Sequence, residues 1–182
     1  QIISNGNDTV TIKEPIFQLV PTGPSDFTLE GEVVFAGYGI KADKYKYNDF
    51  DNPKTEGKIL LVMNRTPMPE DGKKSLYEEP AWSSGMSFQL KLTTLMYSKA
   101  RAILFVSDPK SKFQSFEESN PGFVGYLNSI MTLKGEKEEN INSFMAEMPK
   151  VIFIHRSVAD TLLKGSGHSL EELQNIIDAT LQ

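Results

Sequence analysis

The chain contains no cysteine. Disulfide bonds, thiol catalysis and cysteine-ligated metal sites are therefore excluded, although this absence does not fix the cellular compartment. Histidine is scarce, because His155 and His168 are the only two. Neither belongs to a His-x-x-x-His, His-x-Asp or His-Glu-x-x-His pattern that would indicate a zinc site. No apolar run approaches the about 20 residues that a membrane-spanning helix needs.

Positive charge is in deficit. Lysine and arginine number 19 against 24 aspartate and glutamate residues, which gives a net charge of −5. No basic patch stands out, so we expect neither nucleic acid nor an anionic membrane surface as a partner. The remaining composition, 39% hydrophobic and 24% charged over 182 residues, is typical of a globular domain with its own core.

The start of the chain indicates an excised or processed fragment. It begins at Gln1 without an initiator methionine, so a missing signal peptide carries no information. The cluster Thr22-Gly-Pro-Ser-Asp26 predicts a turn or a linker. We therefore divide the chain into an N-terminal extension with linker strands, residues 1–27, and one domain, residues 28–182.

Two short apolar runs carry the prediction of fold class. Residues 58–63 and 102–106 are typical of strands buried on both faces. Residues 87–100, between them, place apolar side chains at helical spacing. Strand, helix and strand in this order predict a βαβ crossover and an α/β class with parallel strands. Further strands are predicted at 32–35, 151–155, 126–133 and within 8–20, and helices at about 158–164 and 170–179.

The segments between these elements are predicted to be irregular. Residues 41–55 are polar and lack an apolar stripe, so we expect a loop with little regular structure. Residues 64–86 form a long polar segment, and long loops in compact domains are usually functional or mobile. Residues 134–147 are highly charged and predict a solvated loop or an exposed helix.

The run Gly37-Tyr-Gly-Ile-Lys-Ala42 matches the dinucleotide-binding pattern Gly-x-Gly-x-x-Ala and follows a predicted strand. That mechanism needs a helix next, because the free N–H groups of a helix N-terminus hold the pyrophosphate. The following residues show no amphipathic helix. The sequence therefore favours a strand that ends in a Gly-Tyr-Gly turn with unusual backbone dihedrals.

The surroundings of both histidines have structural explanations. Ser169 and Glu172 have the spacing of a capping box at the start of the last helix, which leaves His168 just outside it. Ser157 and Asp160 repeat the pattern one helix earlier. His155, at the end of a predicted strand, is interpreted as a structural residue, and no catalytic, cofactor or metal residue is assigned.

Large apolar side chains on the long loop form a candidate contact surface for a partner or for another domain. They fit equally well a small cluster that folds back onto the domain. With Tyr38 from the glycine turn added, the candidate contact residues are Tyr38, Met68, Tyr77, Trp82 and Met86.

The linear order of short motifs identifies a family resemblance. These motifs are Val34-Phe-Ala-Gly-Tyr-Gly-Ile40, Tyr47-Asn-Asp-Phe50, Gly57-Lys-Ile-Leu-Leu-Val62, Ala100-Arg-Ala-Ile-Leu-Phe-Val-Ser-Asp108, Pro149-Lys-Val-Ile-Phe-Ile154 and Ala159-Asp-Thr-Leu-Leu163. In this order, over about residues 28–179, the chain resembles the protease-associated domain inserted in secreted zinc-dependent aminopeptidases. One departure is that Lys99-Ala100 stands where the family usually has Gly-Ala. A left-handed helix end is costly for lysine, which predicts a different end for this helix.

The resemblance implies a β-rich α/β fold of the swivelling β/β/α type, with flanking helices. It also implies a non-catalytic accessory domain that shapes substrate access or mediates protein interactions. Zinc is then expected only in a separate peptidase domain, and the location is secreted, periplasmic or at the cell surface. The expected partner is that peptidase domain or a peptide or protein.

Two other functions stay open from the sequence. One is a free-standing module that presents residues 64–86 to a peptide or a glycan. The other is a small hydrolase that uses His155 or His168.

Overall fold

The computed structural model describes residues 2–4, 8–10, 17–19, 28–51, 54–67, 87–115, 118, 121–122 and 149–180. The strands within them are β1 (Ile2–Ser4), β2 (Asp8–Val10), β3 (Phe17–Leu19), β4 (Val33–Phe35), β5 (Lys41–Ala42), β6 (Tyr47–Asn48), β7 (Ile59–Met63), β8 (Ala102–Val106) and β9 (Lys150–Ile154). The helices with described bounds are α1 (Ser87–Met96), α2 (Arg156–Leu163) and α3 (Leu170–Thr180). A single 3₁₀ turn, Asp43–Tyr45, separates β5 from β6.

Five strands form the central sheet in the order β3-β9-β8-β7-β4. The four strands β4, β7, β8 and β9 run parallel to their neighbours, and β3 pairs antiparallel with β9 at one edge. Helix α1 joins β7 to β8, so the predicted βαβ crossover and the α/β class are confirmed. Every residue of β7 and β8 is buried, as expected for strands covered on both faces.

The two faces of the sheet pack against different helices, because side chains alternate along each strand. On one face, Leu61 and Leu104 pack with Val158 of α2 and Ile177 of α3. The other face packs against Leu95 of α1. Rings on this second face are in contact, and the centroids of Phe105 and Phe153 lie 5.8 Å apart. The sheet is thus the middle layer between α1 and the α2–α3 pair.

Several predicted boundaries need correction. Residues 41–55 are not irregular throughout, because β5 and β6 form a short antiparallel hairpin whose buried residues, Ala42 and Tyr47, belong to the core. Residues 17–19 fell in the predicted extension, yet β3 is an edge strand of the central sheet. The predicted strand at 126–133 and the charged segment at 134–147 lie outside the described residues.

Both C-terminal helices begin with side-chain caps. Ser169 and Glu172 form the predicted capping box, in which each backbone N–H donates to the other side chain, at 2.8 and 3.2 Å. The second predicted box is wrong: His155 is the N-cap of α2 and accepts a hydrogen bond from the N–H of Ser157. Asp160 instead accepts from the N–H of Leu170, at 3.3 Å, and so supports the start of α3.

The connection from α1 to β8 contains a strained lysine. Lys99 has φ of 56°, in the left-handed region that normally favours glycine. Its carbonyl accepts a hydrogen bond from the N–H of Gly57, at 2.9 Å, which fixes this turn beside the start of β7. The chain therefore keeps the left-handed conformation at Lys99, contrary to the expectation of a different helix end.

Candidate functional site

The most distinctive polar cluster lies beyond the carboxyl ends of parallel strands. Tyr38, Arg65 and Asp108 each follow one of these strands, β4, β7 and β8, by two or three residues. Parallel strands end at the same edge of a sheet, so these side chains meet, and α/β proteins usually bind their ligands at this edge.

Arg65 and Asp108 form the centre of the cluster. The guanidinium donates two hydrogen bonds to the carboxylate, from Nε to Oδ2 and from Nη2 to Oδ1, both at 2.7 Å. The Asp108 side chain is fully buried, whereas 32% of the Arg65 side chain is exposed. Burial opposes ionisation of Asp108, but the hydrogen bonds and charge of Arg65 outweigh it and hold the pKa of the carboxyl below its ordinary value.

Helix α3 attaches to this centre through Gln174 and Asp178. The Gln174 amide donates to Oδ1 of Asp108 at 3.0 Å and to the Tyr38 hydroxyl at 2.8 Å, and its oxygen accepts from the N–H of Lys110. The Tyr38 hydroxyl donates to Asp178, which also pairs with the Lys110 ammonium at 2.7 Å. Burial and the Asp178 carboxylate raise the pKa of the Tyr38 phenol well above its ordinary value.

The Gly-Tyr-Gly turn binds an anion that belongs to the chain itself. Oδ2 of Asp49 accepts from the N–H groups of Tyr38, at 3.0 Å, and Ile40, at 2.9 Å. The Tyr47 hydroxyl donates to the other carboxylate oxygen at 2.5 Å. Gly37 has φ of 47°, and a Cβ there would lie 2.1 Å from the carboxylate. The turn therefore has the unusual dihedrals predicted for it, and β5 follows rather than the helix that a dinucleotide site needs.

Burial leaves Asp49 easier to protonate than an ordinary aspartate. Desolvation raises its pKa to about 6, although its hydrogen bonds and the nearby Lys91 charge oppose the rise.

Lys91 is a fully buried lysine of α1. Its ammonium donates to the carbonyl oxygens of Met63, at 3.0 Å, and of Asn64 and Arg65. It also lies 5.6 Å from the centroid of the Tyr38 ring, within cation–π range. Burial lowers its pKa to about 7, against the charges of Asp49 and Asp108, which favour the ammonium.

A second arginine fixes the loop after β8. Arg156 donates from Nε to the carbonyl of Ser107 at 3.0 Å. Its Nη2 donates to the carbonyls of Asp108, Ser111 and Phe113, at 2.5 to 2.6 Å. Because these four carbonyls lie between residues 107 and 113, one side chain holds the whole loop against the start of α2.

The predicted contact residues are only partly described. Tyr38 is fully buried and bonded to Gln174 and Asp178, which corrects its assignment as a surface contact. The other four, Met68, Tyr77, Trp82 and Met86, lie outside the described residues. His155 caps α2, and His168 is exposed before α3, so the structure does not place either in the cluster.

Sequence reasoning missed the cluster, although signals for it exist. Lys91 interrupts the apolar face of a helix, between Phe88 and Leu95. Arg65 and Asp108 each stand two positions after a buried strand and have opposite charges. Opposite charges at neighbouring strand ends predict a pair across the sheet edge.

Comparisons with known proteins add no identification. The chain matches no protein-family model, and searches of curated proteins and of solved structures found no match. Among the described residues, no group of three or more His, Asp or Glu side chains is placed to hold a metal ion. No helix in that part of the chain is long and apolar enough to cross a membrane.

The hydrogen bonds of the cluster hold the loops at the strand ends in fixed positions. The cluster joins the ends of three strands to α1 and α3 through charge-assisted hydrogen bonds. Its central carboxylate is engaged by Arg65 and Gln174 and is out of contact with solvent.

Proposed function

We propose that this chain is a non-catalytic accessory domain of a secreted zinc aminopeptidase-like protein, where it shapes substrate access or mediates protein interactions. The motif order that resembles protease-associated domains motivates the proposal. Strands β4, β7, β8 and β9, which contain most of these motifs, are adjacent in one sheet. The motifs therefore belong to one structural unit, as the proposal requires.

The polar cluster is the observation that supports the proposal best. At the sheet edge where an α/β enzyme contacts its ligand, Arg65 and Asp108 bind each other, and Gln174 bridges Asp108 to Tyr38. Such bonds hold the strand-end loops in one arrangement. A domain that presents a fixed surface to a neighbouring domain needs its loops held in this way.

On this proposal, zinc and the reacting groups belong to a separate peptidase domain, and no residue of this chain is given a catalytic or metal role. The domain would then affect which substrates reach the peptidase site, rather than the chemistry at that site.

The test uses the intact gene product that contains this chain, compared with a version that lacks residues 28–182. We expect the deletion to change KM for long peptides more than KM for a short chromogenic aminoacyl amide. The isolated chain, supplied with zinc, should hydrolyse neither substrate. An unchanged ratio of the two KM values in the deleted protein would contradict the proposal.

Two outcomes would favour the other functions. Hydrolysis by the isolated chain that survives repurification, and is lost when His155 and His168 are both changed to alanine, would indicate a small hydrolase. A reading frame without zinc-ligand spacings, combined with selective binding on a peptide or glycan array, would indicate a free-standing binding module.

A further inference from the structure

The buried ammonium of Lys91 has more hydrogen-bond donors than its uncharged form. A lysine ammonium offers three N–H groups, and here three consecutive backbone carbonyls accept from it, those of Met63, Asn64 and Arg65. A neutral amine has only two N–H groups. Loss of the proton therefore removes a donor from one of these carbonyls.

The buried position of Lys91 also makes its ammonium proton easier to lose. The side chain of Lys91 is fully buried between α1 and the end of β7, and burial disfavours a charged amine. An unpaired buried carbonyl is also unfavourable, so the backbone at residues 63–65 has a reason to move when the proton leaves.

Within the part of the chain that the structure describes, four titratable or charged groups face Lys91. The Tyr38 ring comes from the turn after β4, and Asp49 from the loop after β6. Arg65 follows β7 and opposes the ammonium, whereas Asp108 follows β8 and favours it. Because Asp108 is paired with Arg65, Asp49 is the carboxylate whose charge most directly favours the Lys91 ammonium.

We propose that Lys91 is a pH-sensitive tie between α1 and the end of β7, which holds the carbonyls of residues 63–65 when protonated and releases one of them when neutral. The sheet edge then has two forms that interconvert near neutral pH. This inference does not depend on the proposed accessory function.

Linkage fixes the direction of the effect on stability. The folded chain holds this proton more weakly than the unfolded chain, because burial lowers the pKa of Lys91 from 10.5 to about 7. The contribution of Lys91 to the free energy of unfolding is therefore complete above pH 10.5, its unfolded pKa, and is lost as the pH falls through about 7, its folded pKa. The protonated form keeps all three carbonyl contacts but carries the cost of a buried charge.

The test is an NMR titration of the full chain labelled with carbon-13 at the lysine Cε and at backbone carbonyls. The Cε signal of Lys91 should titrate near pH 7, well below the ordinary lysine pKa of 10.5. The carbonyl signals of Met63, Asn64 and Arg65 should shift with the same midpoint. The conservative variant Lys91→Arg stays charged throughout, so both transitions should disappear. Should that variant not fold, through-bond correlation to the Lys91 amide assigns the Cε signal in the unaltered chain.

A second variant tests the carboxylate. Asp49→Asn keeps an acceptor for the turn but removes a charge that favours the ammonium, so the Lys91 midpoint should fall further. A Lys91 signal that titrates near the ordinary lysine pKa of 10.5 would overturn the proposal. A midpoint near 7 without carbonyl shifts at residues 63–65 would also overturn it, because the side chain would then titrate without moving the backbone.

Discussion

The Arg65–Asp108 pair predicts a strong asymmetry between two single substitutions. Asp108 is fully buried, whereas about a third of Arg65 reaches solvent. Removing the arginine leaves a carboxylate that water cannot reach. Removing the carboxylate leaves an arginine that can turn outward and become hydrated. The same broken ion pair should therefore have two different costs.

The magnitudes follow from the burial of each partner. Arg65→Met should destabilise the fold by about 3–5 kcal/mol, the usual cost of leaving a buried charge without its partner. Asp108→Asn keeps the shape and one acceptor oxygen, so it should cost about 1–2 kcal/mol, as for a weakened hydrogen bond to a charged group. The double variant should be more stable than Arg65→Met alone, because the isolated charge is gone.

Urea denaturation at pH 7, followed by circular dichroism, measures the free energy of unfolding of the four proteins in this cycle. The pH dependence is a second readout. In the unaltered chain the pKa of Asp108 is lowered. The stability that ionised Asp108 contributes is therefore present above pH 3.8, its ordinary pKa, and is lost as the pH falls through its lower pKa in the folded chain. In Arg65→Met burial dominates and raises that pKa, so the cost of the substitution should shrink on acidification from pH 7 to 5.

Two results would refute this reasoning. One is an Asp108→Asn variant that is less stable than Arg65→Met. The other is a double variant whose loss equals the sum of the two single losses, since the two side chains would then act independently.

Three further predictions concern local structure, each measured by the free energy of unfolding in urea. Gly37→Ala should destabilise the fold by more than about 2 kcal/mol, because residue 37 has a positive φ and its new Cβ would overlap the buried carboxylate of Asp49. Gly57→Ala, also at positive φ but in open space, should cost about 1 kcal/mol. Equal losses in the two variants would contradict the overlap at residue 37. Lys99→Gly should stabilise by up to about 1 kcal/mol, since it relieves a left-handed lysine, and a loss of stability would refute the strain. Ser169→Ala should destabilise the fold by about 1 kcal/mol through loss of the capping box. Ser157→Ala should cost less, because His155 rather than Ser157 is the N-cap of α2. A larger loss for Ser157→Ala than for Ser169→Ala would be inconsistent with the observed caps.

The pattern of apolar residues predicted the central strands well, because strands buried on both faces must be apolar. Residues 59–63 and 102–106 are apolar at every position, and strands covered on both faces require this pattern. The hairpin at residues 41–48 escaped prediction because its strands are only two residues long. Its pairing depends on Ala42 and Tyr47 entering the core, and a tertiary contact of this kind leaves no periodic signal.

The opposite charges of Arg65 and Asp108 are a sequence signal for the central pair, but the rest of the polar cluster could not be predicted from the sequence. The bond from Tyr38 to Asp178 spans 140 positions, and the bond from Gln174 to Asp108 spans 66. Each partner alone has a more common interpretation as a surface residue or a strand end. Only the full order of the strands brings them to the same edge, and the sequence predicts one parallel crossover rather than that full order.

The anion held by the Gly-Tyr-Gly turn shows how a motif can predict local chemistry without predicting function. Two glycines at positive φ direct the N–H groups of Tyr38 and Ile40 toward one point. A phosphate would suit that geometry, but Asp49 occupies it from eleven residues along the chain. The turn therefore fastens the hairpin to the sheet.

Stability alone does not explain why so many charges are buried at this edge. Well-packed apolar side chains in place of a buried ion pair are often as stable or more so. An apolar contact allows sliding, whereas the forked guanidinium of Arg65 fits the Asp108 carboxylate in one orientation, and Gln174 extends that constraint to α3. We infer that the cluster fixes the position of α3 against the strand ends. If so, apolar substitution of the pair should broaden the amide signals of α3 even where it leaves the free energy of unfolding unchanged.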